Sequence, residues 1–215
     1  MNKKELTEAD IRSKFITPAL LSRGWDLKKQ IREEVSFTDG RVIVQGSLHT
    51  RGTRKRADYI LYHKPNMPIA IIEAKDNKHN VGDGMQQALD YSERLDIPFV
   101  FTSNGDSFVF HDKTIQEGQI EREISLDEFP TPEELRKKYY SYKNLDNPES
   151  IEIAEQDYFA DDSDMSPRYY QQIAANRTVE AVAKGADRIL LVMATGTGKT
   201  YTAFNIIWRL WKKGT

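Results

Sequence analysis

The sequence predicts an α/β protein in two parts, a mixed-sheet domain followed by the start of a second α/β domain. Three observations support this prediction. Strand-like and helix-like segments alternate up to about residue 143, an acidic stretch follows, and a glycine-rich loop near residue 196 separates an apolar run from an amphipathic one. We therefore assign residues 1–143 to the first domain, 144–166 to an acidic connector with one short helix, and 167–215 to the second domain.

The first domain opens with a predicted helix. Thr7 is a suitable N-cap with acidic residues in the turn after it, an apolar stripe follows that Pro18 interrupts, and Gly24 can end the helix. Further helices are predicted at about 83–95 and 132–142, and Asn104-Gly105 is a hairpin signal. The predicted strands are 41–45, 57–62, 69–74, 99–102 and 107–111.

Composition excludes several classes of site. The chain has no cysteine, so disulfides and thiolate zinc sites are absent, and its four histidines lack paired metal-ligand spacing. No apolar run has the length of a membrane span, and the N-terminus has no signal-peptide core, so we expect a soluble cytoplasmic protein. The formal net charge of −2 does not by itself favour or exclude nucleic acid.

A candidate catalytic site lies on two predicted strands. Glu73 and Lys75 are two apart on one strand and project to the same face, and Asp58 lies on the strand before. Paired carboxylates suit Mg²⁺, and a lysine beside them can stabilise charge on a reacting phosphate. The alternative is a charged pair on an exposed edge strand. The apolar run around Glu73 favours a buried central strand, where charges are costly unless functional.

The next predicted helix extends this pattern. Gln87 and Tyr91 are four apart on one face, and together with Asp58 and Glu73-x-Lys75 they resemble the PD-(D/E)XK nuclease superfamily in its Gln-x-x-x-Tyr subgroup. Ala57 stands where the family pattern often has proline. The resemblance implies that Asp58 and Glu73 bind the metal, and that an N-terminal helix brings in a further carboxylate. Glu8 is the candidate for it, with helix capping as the equally good alternative.

Basic residues cluster ahead of the Asp58 strand. Arg51, Arg54, Lys55 and Arg56 fall in what reads as a short glycine-containing loop. Such clusters are usually solvated surface, but this one adjoins the candidate site, so we interpret it as a DNA-phosphate contact.

The second domain begins with a phosphate-binding pattern. Glycines let backbone N–H groups surround phosphates, a lysine meets the β- and γ-phosphates, and a hydroxyl binds Mg²⁺. We predict a buried parallel strand at 189–193 before this loop and a helix at 201–211 after it. Met193 departs from the usual Gly or Ala at the first position, and a glycine-rich turn without a ligand is the alternative. The candidate residues are Thr195, Gly196, Thr197, Gly198, Lys199 and Thr200.

Only fifteen residues follow Thr200. ATP hydrolysis needs a second acidic motif, a residue that positions water and usually an arginine finger. We therefore expect this chain not to hydrolyse ATP.

A second element precedes the phosphate loop. Arg168, Tyr170, Gln171 and Ala174 resemble the adenine-recognition element of superfamily 2 helicases, whose motor domains are RecA-like. A glutamine amide donates and accepts at once and can read the edge of adenine. The alternative is an ordinary helix start at Pro167.

Together the two motif sets resemble the restriction (R) subunit of Type I restriction enzymes, as do Gly24-Trp25 and the opening run from Thr7. The resemblance covers the whole chain. It implies an ATP- and Mg²⁺-dependent endonuclease that translocates double-stranded DNA, bound to methyltransferase and specificity subunits, and it leads us to expect a longer subunit continuing past Thr215. A Type III restriction or DNA-repair helicase with a similar nuclease is the alternative. A non-enzymatic alternative, in which the nuclease fold has decayed into a DNA-binding or assembly module, is disfavoured by the intact Asp58, Glu73 and Lys75.

Overall fold

The computed structural model describes residues 2–38, 42–45, 48–51, 54–159 and 167–214, with only the backbone described for 42–45 and 48–51. The chain forms two compact units, Met1–Arg136 and Lys137–Thr215. The assignment of 1–143, 144–166 and 167–215 to functional domains stays a prediction. No helix in the described ranges is long and apolar enough to cross a membrane.

The strands of the first unit are β1 Ile31–Thr38, β2 Val42–Gln45, β3 Leu48–Arg51, β4 Arg54–Lys64, β5 Met67–Ala74, β6 Phe99–Ser103, β7 Ser107–Asp112 and β8 Glu121–Ser125. A six-stranded mixed sheet has the order β1-β4-β5-β6-β7-β8. Within this sheet only β5 and β6 run parallel, and helix α3 (Met85–Leu95) connects them. A separate two-stranded sheet pairs β2 with β3.

The five predicted strands correspond to β2, β4, β5, β6 and β7, and the hairpin at Asn104-Gly105 joins β6 to β7. Strands β1, β3 and β8 were not predicted from the sequence. Strands β1 and β8 lie at the two edges of the large sheet, are rich in charged residues and are mostly exposed. Their hydrogen bonds to a neighbouring strand, rather than apolar periodicity, make them strands.

The opening helical segment begins as the sequence predicts. The Thr7 hydroxyl accepts from the Asp10 N–H at 3.2 Å while Asp10 accepts from the Thr7 N–H, which is a reciprocal capping box. The chain continues as α1 Glu8–Ile11, a π-helical turn at Arg12–Ile16 and α2 Thr17–Ser22, and Gly24 follows with φ of 87°. Helix α3 is Met85–Leu95 and α4 is Pro132–Lys143.

An aromatic cluster fills the core of the first unit beside β6 and β7. Phe101 stacks on Phe110 with 4.3 Å between ring centroids, and Phe129 lies 4.6 Å from Phe101. The Trp25 indole packs edge-on against Phe129 and donates to the Pro130 carbonyl at 2.9 Å. These contacts hold the N-terminal helices against the sheet that carries the candidate site.

The second unit is helical in its described residues, with α5 Pro148–Ala154, α6 Tyr169–Ala183 and α7 Lys199–Lys213. Helix α5 is the short helix that we expected in the connector. The fully buried Arg209 of α7 donates to the carbonyls of Ala154 at 2.6 Å and Gln156 at 2.7 Å and to Asn176 of α6 at 2.8 Å. This one side chain therefore ties the end of α5 to both long helices.

The predicted buried strand at 189–193 is wrong for this structure. These residues form no strand, and Leu190 and Val192 are 88% and 82% exposed. A parallel strand needs a neighbour for its backbone hydrogen bonds, and the described part of Lys137–Thr215 contains no other strand to pair with.

Candidate functional site

Asp58 is held at the centre of the first unit's sheet. It lies on β4 and is 5% exposed, and its Oδ2 accepts from the Ala74 N–H of β5 at 2.8 Å. Its Oδ1 lies 3.5 Å from Nη1 of Arg12. One carboxylate oxygen is thus fixed by the neighbouring strand, and the other faces a guanidinium from the N-terminal helix.

Glu73 and Lys75 lie side by side at the end of β5. Glu73 is 3% exposed, and its Oε1 accepts from the Lys75 ammonium at 2.9 Å and from the Gln87 amide of α3. The other oxygen, Oε2, is buried and has no hydrogen-bond partner among the described residues. A buried carboxylate oxygen without a hydrogen-bond partner is stabilised by a bound cation or by protonation.

The electrostatics of this pair follow from burial. Burial, and secondly the charge of Asp58, raise the pKa of Glu73 to about 7 against the opposing effect of Lys75. For Lys75, burial lowers the pKa while the contact with Glu73 raises it, and the net result is a raised pKa. Burial and Asp58 also raise the pKa of Glu8, which therefore belongs to the same electrostatic group. The structure thus brings Glu8, Asp58, Glu73, Lys75 and Gln87 together.

Tyr91 lies one helical turn after Gln87 on α3. Its ring packs edge-on against Phe37 with 5.1 Å between centroids, and the Lys55 ammonium lies 5.4 Å from the ring centroid. The charge of Glu73 contributes, after burial, to a raised pKa of Tyr91. Tyr91 therefore borders the group while packing α3 against β1.

Gly84 was missed by the sequence analysis. Its φ is 94°, and a Cβ there would lie 3.0 Å from Cε of Lys75 and 3.1 Å from Cγ of Glu73. Any other residue would strain the backbone and displace the two charged side chains. The signal in the sequence was the Gly82-Asp83-Gly84 turn just ahead of α3.

The basic cluster is not a loop in its described part. Arg54, Lys55 and Arg56 form the start of β4 and pair with Thr38, Phe37 and Ser36 of β1. Placing these three residues in a loop was wrong, because the β1 partner strand was not recognised. Their interpretation as a DNA-phosphate contact stays a prediction. Lys55 is bound to Asp90 at 2.6 Å, whereas Arg54 and Arg56 are exposed. The side chain of Arg51 lies outside the described residues.

The phosphate-binding pattern forms a tight loop ahead of α7. Gly196 and Gly198 have φ of 77° and 82°, and α7 begins at Lys199 directly after Gly198. The Lys199 ammonium lies 3.2 Å from the Ala194 carbonyl and 3.4 Å from the Met193 carbonyl, and the Thr197 hydroxyl donates to the Ala194 carbonyl at 2.6 Å. Thr195 and Thr200 are exposed. The lysine thus folds back over its own loop.

Gln171 connects helix α6 to this loop. Its Nε2 donates to the Thr197 carbonyl at 2.9 Å, and its Oε1 accepts from the Arg168 N–H at 2.9 Å. The Arg168 guanidinium donates to the Tyr170 hydroxyl at 3.3 Å. A cavity of about 430 Å³ lies alongside, lined by Tyr170, Ala174 and the 189–194 run among others. The element predicted to read adenine is therefore next to the phosphate loop, with both functions of the Gln171 amide in use.

Comparison with known proteins agrees with both motif sets. Residues 26–130 match the family described as Type I restriction enzyme R protein N terminus (HSDR_N), and residues 164–215 match that described as Type III restriction enzyme, res subunit. The Type I restriction enzyme EcoAI endonuclease subunit of Escherichia coli is 55% identical over 213 residues, which is 99% of this chain and 26% of that protein. The chain belongs to the Type I restriction enzyme R protein family.

Two further relatives agree with this membership. The Type I restriction enzyme EcoKI endonuclease subunit of Escherichia coli strain K12 is 27% identical over 265 residues, covering 97% of this chain and 22% of that protein. A solved fragment assigned as an HsdR subunit of a type I restriction enzyme from Vibrio vulnificus YJ016 is 42% identical with a TM-score of 0.82, covering 97% of this chain and 38% of that one. This R protein chain thus spans about a quarter of the length of the curated relatives it matches.

The family resemblance implies a metal in the first unit of this R protein chain. Within the ranges that the structure describes, no group of three or more His, Cys, Asp or Glu side chains is arranged to hold a metal ion. The carboxylates of Asp58 and Glu73 nevertheless supply two hard oxygen donors that suit a metal ion. Asp58 and Glu73 are close enough to couple electrostatically, and Glu73 Oε2 lacks a partner in the described residues. DNA or water would have to supply the remaining ligands.

Proposed function

We propose that this chain contributes the DNA-cutting site of a Type I restriction enzyme R subunit, and that it hydrolyses phosphodiester bonds with Mg²⁺. The observation that carries the proposal is the grouping of Asp58, Glu73 and Lys75, with Gln87 bound to the same Glu73 oxygen as Lys75. Family membership supports it independently, since the relative of 55% identity is described as an endonuclease subunit.

Each side chain has a role that follows from its contacts. Mg²⁺ bound to Asp58 and Glu73 would supply a Lewis acid for the phosphate. The Ala74 N–H fixes one oxygen of Asp58, and Gln87 fixes one oxygen of Glu73, so the remaining oxygens keep defined directions. Lys75, an ammonium in contact with Glu73, is placed to donate to the phosphate as negative charge grows during attack of water on phosphorus.

The second unit supports a separate nucleotide-binding function. The glycine-rich loop, the start of α7 at Lys199 and the adjacent Gln171 are suited to the phosphates and base of ATP. We propose that ATP binds here, and that in the full subunit its hydrolysis drives translocation of double-stranded DNA alongside methyltransferase and specificity subunits. The match of residues 164–215 to the Type III res family keeps a Type III or repair nuclease-helicase as the alternative for this unit.

Plasmid cleavage by the full subunit with its partner subunits tests the nuclease proposal. Glu73→Ala and Lys75→Ala should each abolish cleavage of a one-site plasmid and leave ATPase and translocation intact. Glu93→Ala changes an exposed acid on α3 and serves as the charge-matched control. Full cleavage by Glu73→Ala would remove the nuclease assignment. Cleavage without the methyltransferase and specificity subunits would favour the alternative system.

A further inference from the structure

Glu34 has an unusual backbone conformation beside the nuclease site. Its φ is 53°, in the left-handed region that residues other than glycine rarely adopt. The β1–β4 ladder is in register on both sides, with Glu33 opposite Tyr59 and Val35 opposite Ala57, and it lacks a pair where Glu34 faces Asp58. Backbone strain of this kind destabilises the fold and is concentrated at functional positions. The strained backbone at Glu34 therefore indicates a functional role for this residue.

The Glu34 carboxylate lies between two arginines. Its Oε1 is 3.0 Å from Nη2 of Arg12, and its Oε2 is 3.5 Å from Nη1 of Arg56. The two guanidinium groups come from different elements, the N-terminal helical segment and β4. The strained backbone thus places one carboxylate where it meets both arginines.

Arg12 is held at the proposed nuclease site by its contact with Asp58. Its side chain is only 13% exposed, its Nη1 is 3.5 Å from Asp58, and its guanidinium lies 5.9 Å from the ring centroid of Tyr59. Its Nε is buried without a hydrogen-bond partner in the described residues. A buried guanidinium in this position keeps its charge and presents one edge towards Glu34.

A phosphate diester could replace the Glu34 carboxylate. Both groups carry one negative charge over two oxygens, and arginine recognises both in the same forked geometry. The Glu34 side chain is 47% exposed, so it can turn into solvent at low cost.

We propose that Arg12 and Arg56 form a phosphate-binding pair for DNA at the nuclease site, and that Glu34 occupies this position while DNA is absent. The inference rests on the proposed nuclease function and deepens it. It adds Arg12 as a DNA-contacting residue and gives Glu34 an autoinhibitory role.

Binding of the 215-residue chain to a fluorescent duplex DNA in EDTA, followed by anisotropy over a range of salt concentrations, tests the proposal. Glu34→Gln should tighten binding about threefold to fivefold, the gain expected when an exposed ion pair no longer competes. The slope of log affinity against log salt should steepen by about one, because in the wild type the released Glu34 carboxylate takes up a cation when DNA binds, whereas a glutamine does not. Glu33→Gln is the matched control, because it removes the same charge from the adjacent exposed residue, whose carboxylate contacts Thr17.

A second comparison tests whether the gain in affinity depends on the two arginines. In a chain carrying Arg12→Gln and Arg56→Gln, the further change Glu34→Gln should give no gain in affinity. If the double arginine variant does not fold, the comparison of Glu34→Gln with Glu33→Gln still decides the question.

The outcomes separate this inference from the proposed function. Equal gains for Glu34→Gln and Glu33→Gln would reduce the effect to net charge and overturn the phosphate pair. No gain for Glu34→Gln, in a wild-type chain that binds DNA, would overturn it while leaving the nuclease proposal intact. A chain that binds no DNA in any variant at low salt would overturn both.

Discussion

Gln87 on α3 donates its side-chain amide to the same Glu73 oxygen that accepts from Lys75. One carboxylate oxygen is therefore held by two donors, whereas the other has none among the described residues. In this structure the Gln87 side chain therefore contacts the candidate metal ligand Glu73, and we expect it to act by positioning that carboxylate. This relationship gives the glutamine and the tyrosine of the Gln-x-x-x-Tyr pattern separate physical roles.

Gln87→Ala should lower the rate of DNA cleavage by roughly tenfold to a hundredfold, the loss expected for one hydrogen bond to a charged group. Tyr91→Phe should cost less, since the ring contacts with Phe37 and Lys55 persist without the hydroxyl. Single-turnover cleavage with the assembled enzyme measures both rates. A Tyr91→Phe variant as inactive as Glu73→Ala would show that the hydroxyl takes part in the reaction.

The raised pKa of Glu73 makes stability depend on pH. Because its pKa is about 7 in the folded chain and 4.5 when unperturbed, the folded state binds more protons between these values, and stability is lost as pH rises through that window. Glu73→Gln removes this loss. In EDTA, we therefore expect the unfolding free energy of Glu73→Gln, relative to that of the wild type, to increase by on the order of 3 kcal/mol from pH 4 to pH 8. Urea denaturation at both pH values measures the difference, and parallel pH profiles would contradict it.

Lys199→Ala should weaken binding of ATP to the second unit by about tenfold or more, since it removes a charge-assisted contact to the phosphates. Lys212→Ala, an exposed lysine on the same helix, should bind ATP as the wild type does. Binding of a fluorescent ATP analogue provides the measurement. We also expect no steady phosphate release from the 215-residue chain, so release that depends on Lys199 would show a more complete motor than the motifs indicate.

Arg209→Ala should destabilise the second unit by about 3 kcal/mol, because it leaves the buried carbonyl of Ala154 and the partly buried carbonyl of Gln156 without their donor. Arg188→Ala removes an exposed arginine from the same unit and should change little. Urea unfolding followed by tryptophan fluorescence reports the effect, since Trp208 and Trp211 lie on the same helix as Arg209. Equal midpoints for the two variants would mean that Arg209 does not hold α5 to the long helices.

The sequence by itself determined the elements with strong local signals. Glycines before a lysine at a helix start predicted the tight loop ahead of α7, and β5 was recognised because a buried central strand reads as a nearly continuous apolar run. The two-residue spacing of Glu73 and Lys75 was enough to predict their neighbouring positions, since strand periodicity is local.

Only the tertiary structure decided the contacts between distant segments. The edge strands β1 and β8 carry charges without apolar periodicity, so their identity depends on the strands they pair with. The run 189–193 shows the converse, because an apolar segment with strand composition forms no strand where no partner strand is described. Arg12, Glu34 and Asp58 are far apart in sequence and meet through the packing of a helix on β1 and β4. Local propensity acts over a few residues, whereas pairing and charge neutralisation act through space, and for that reason the arginine-bound Glu34 was visible only in the folded chain.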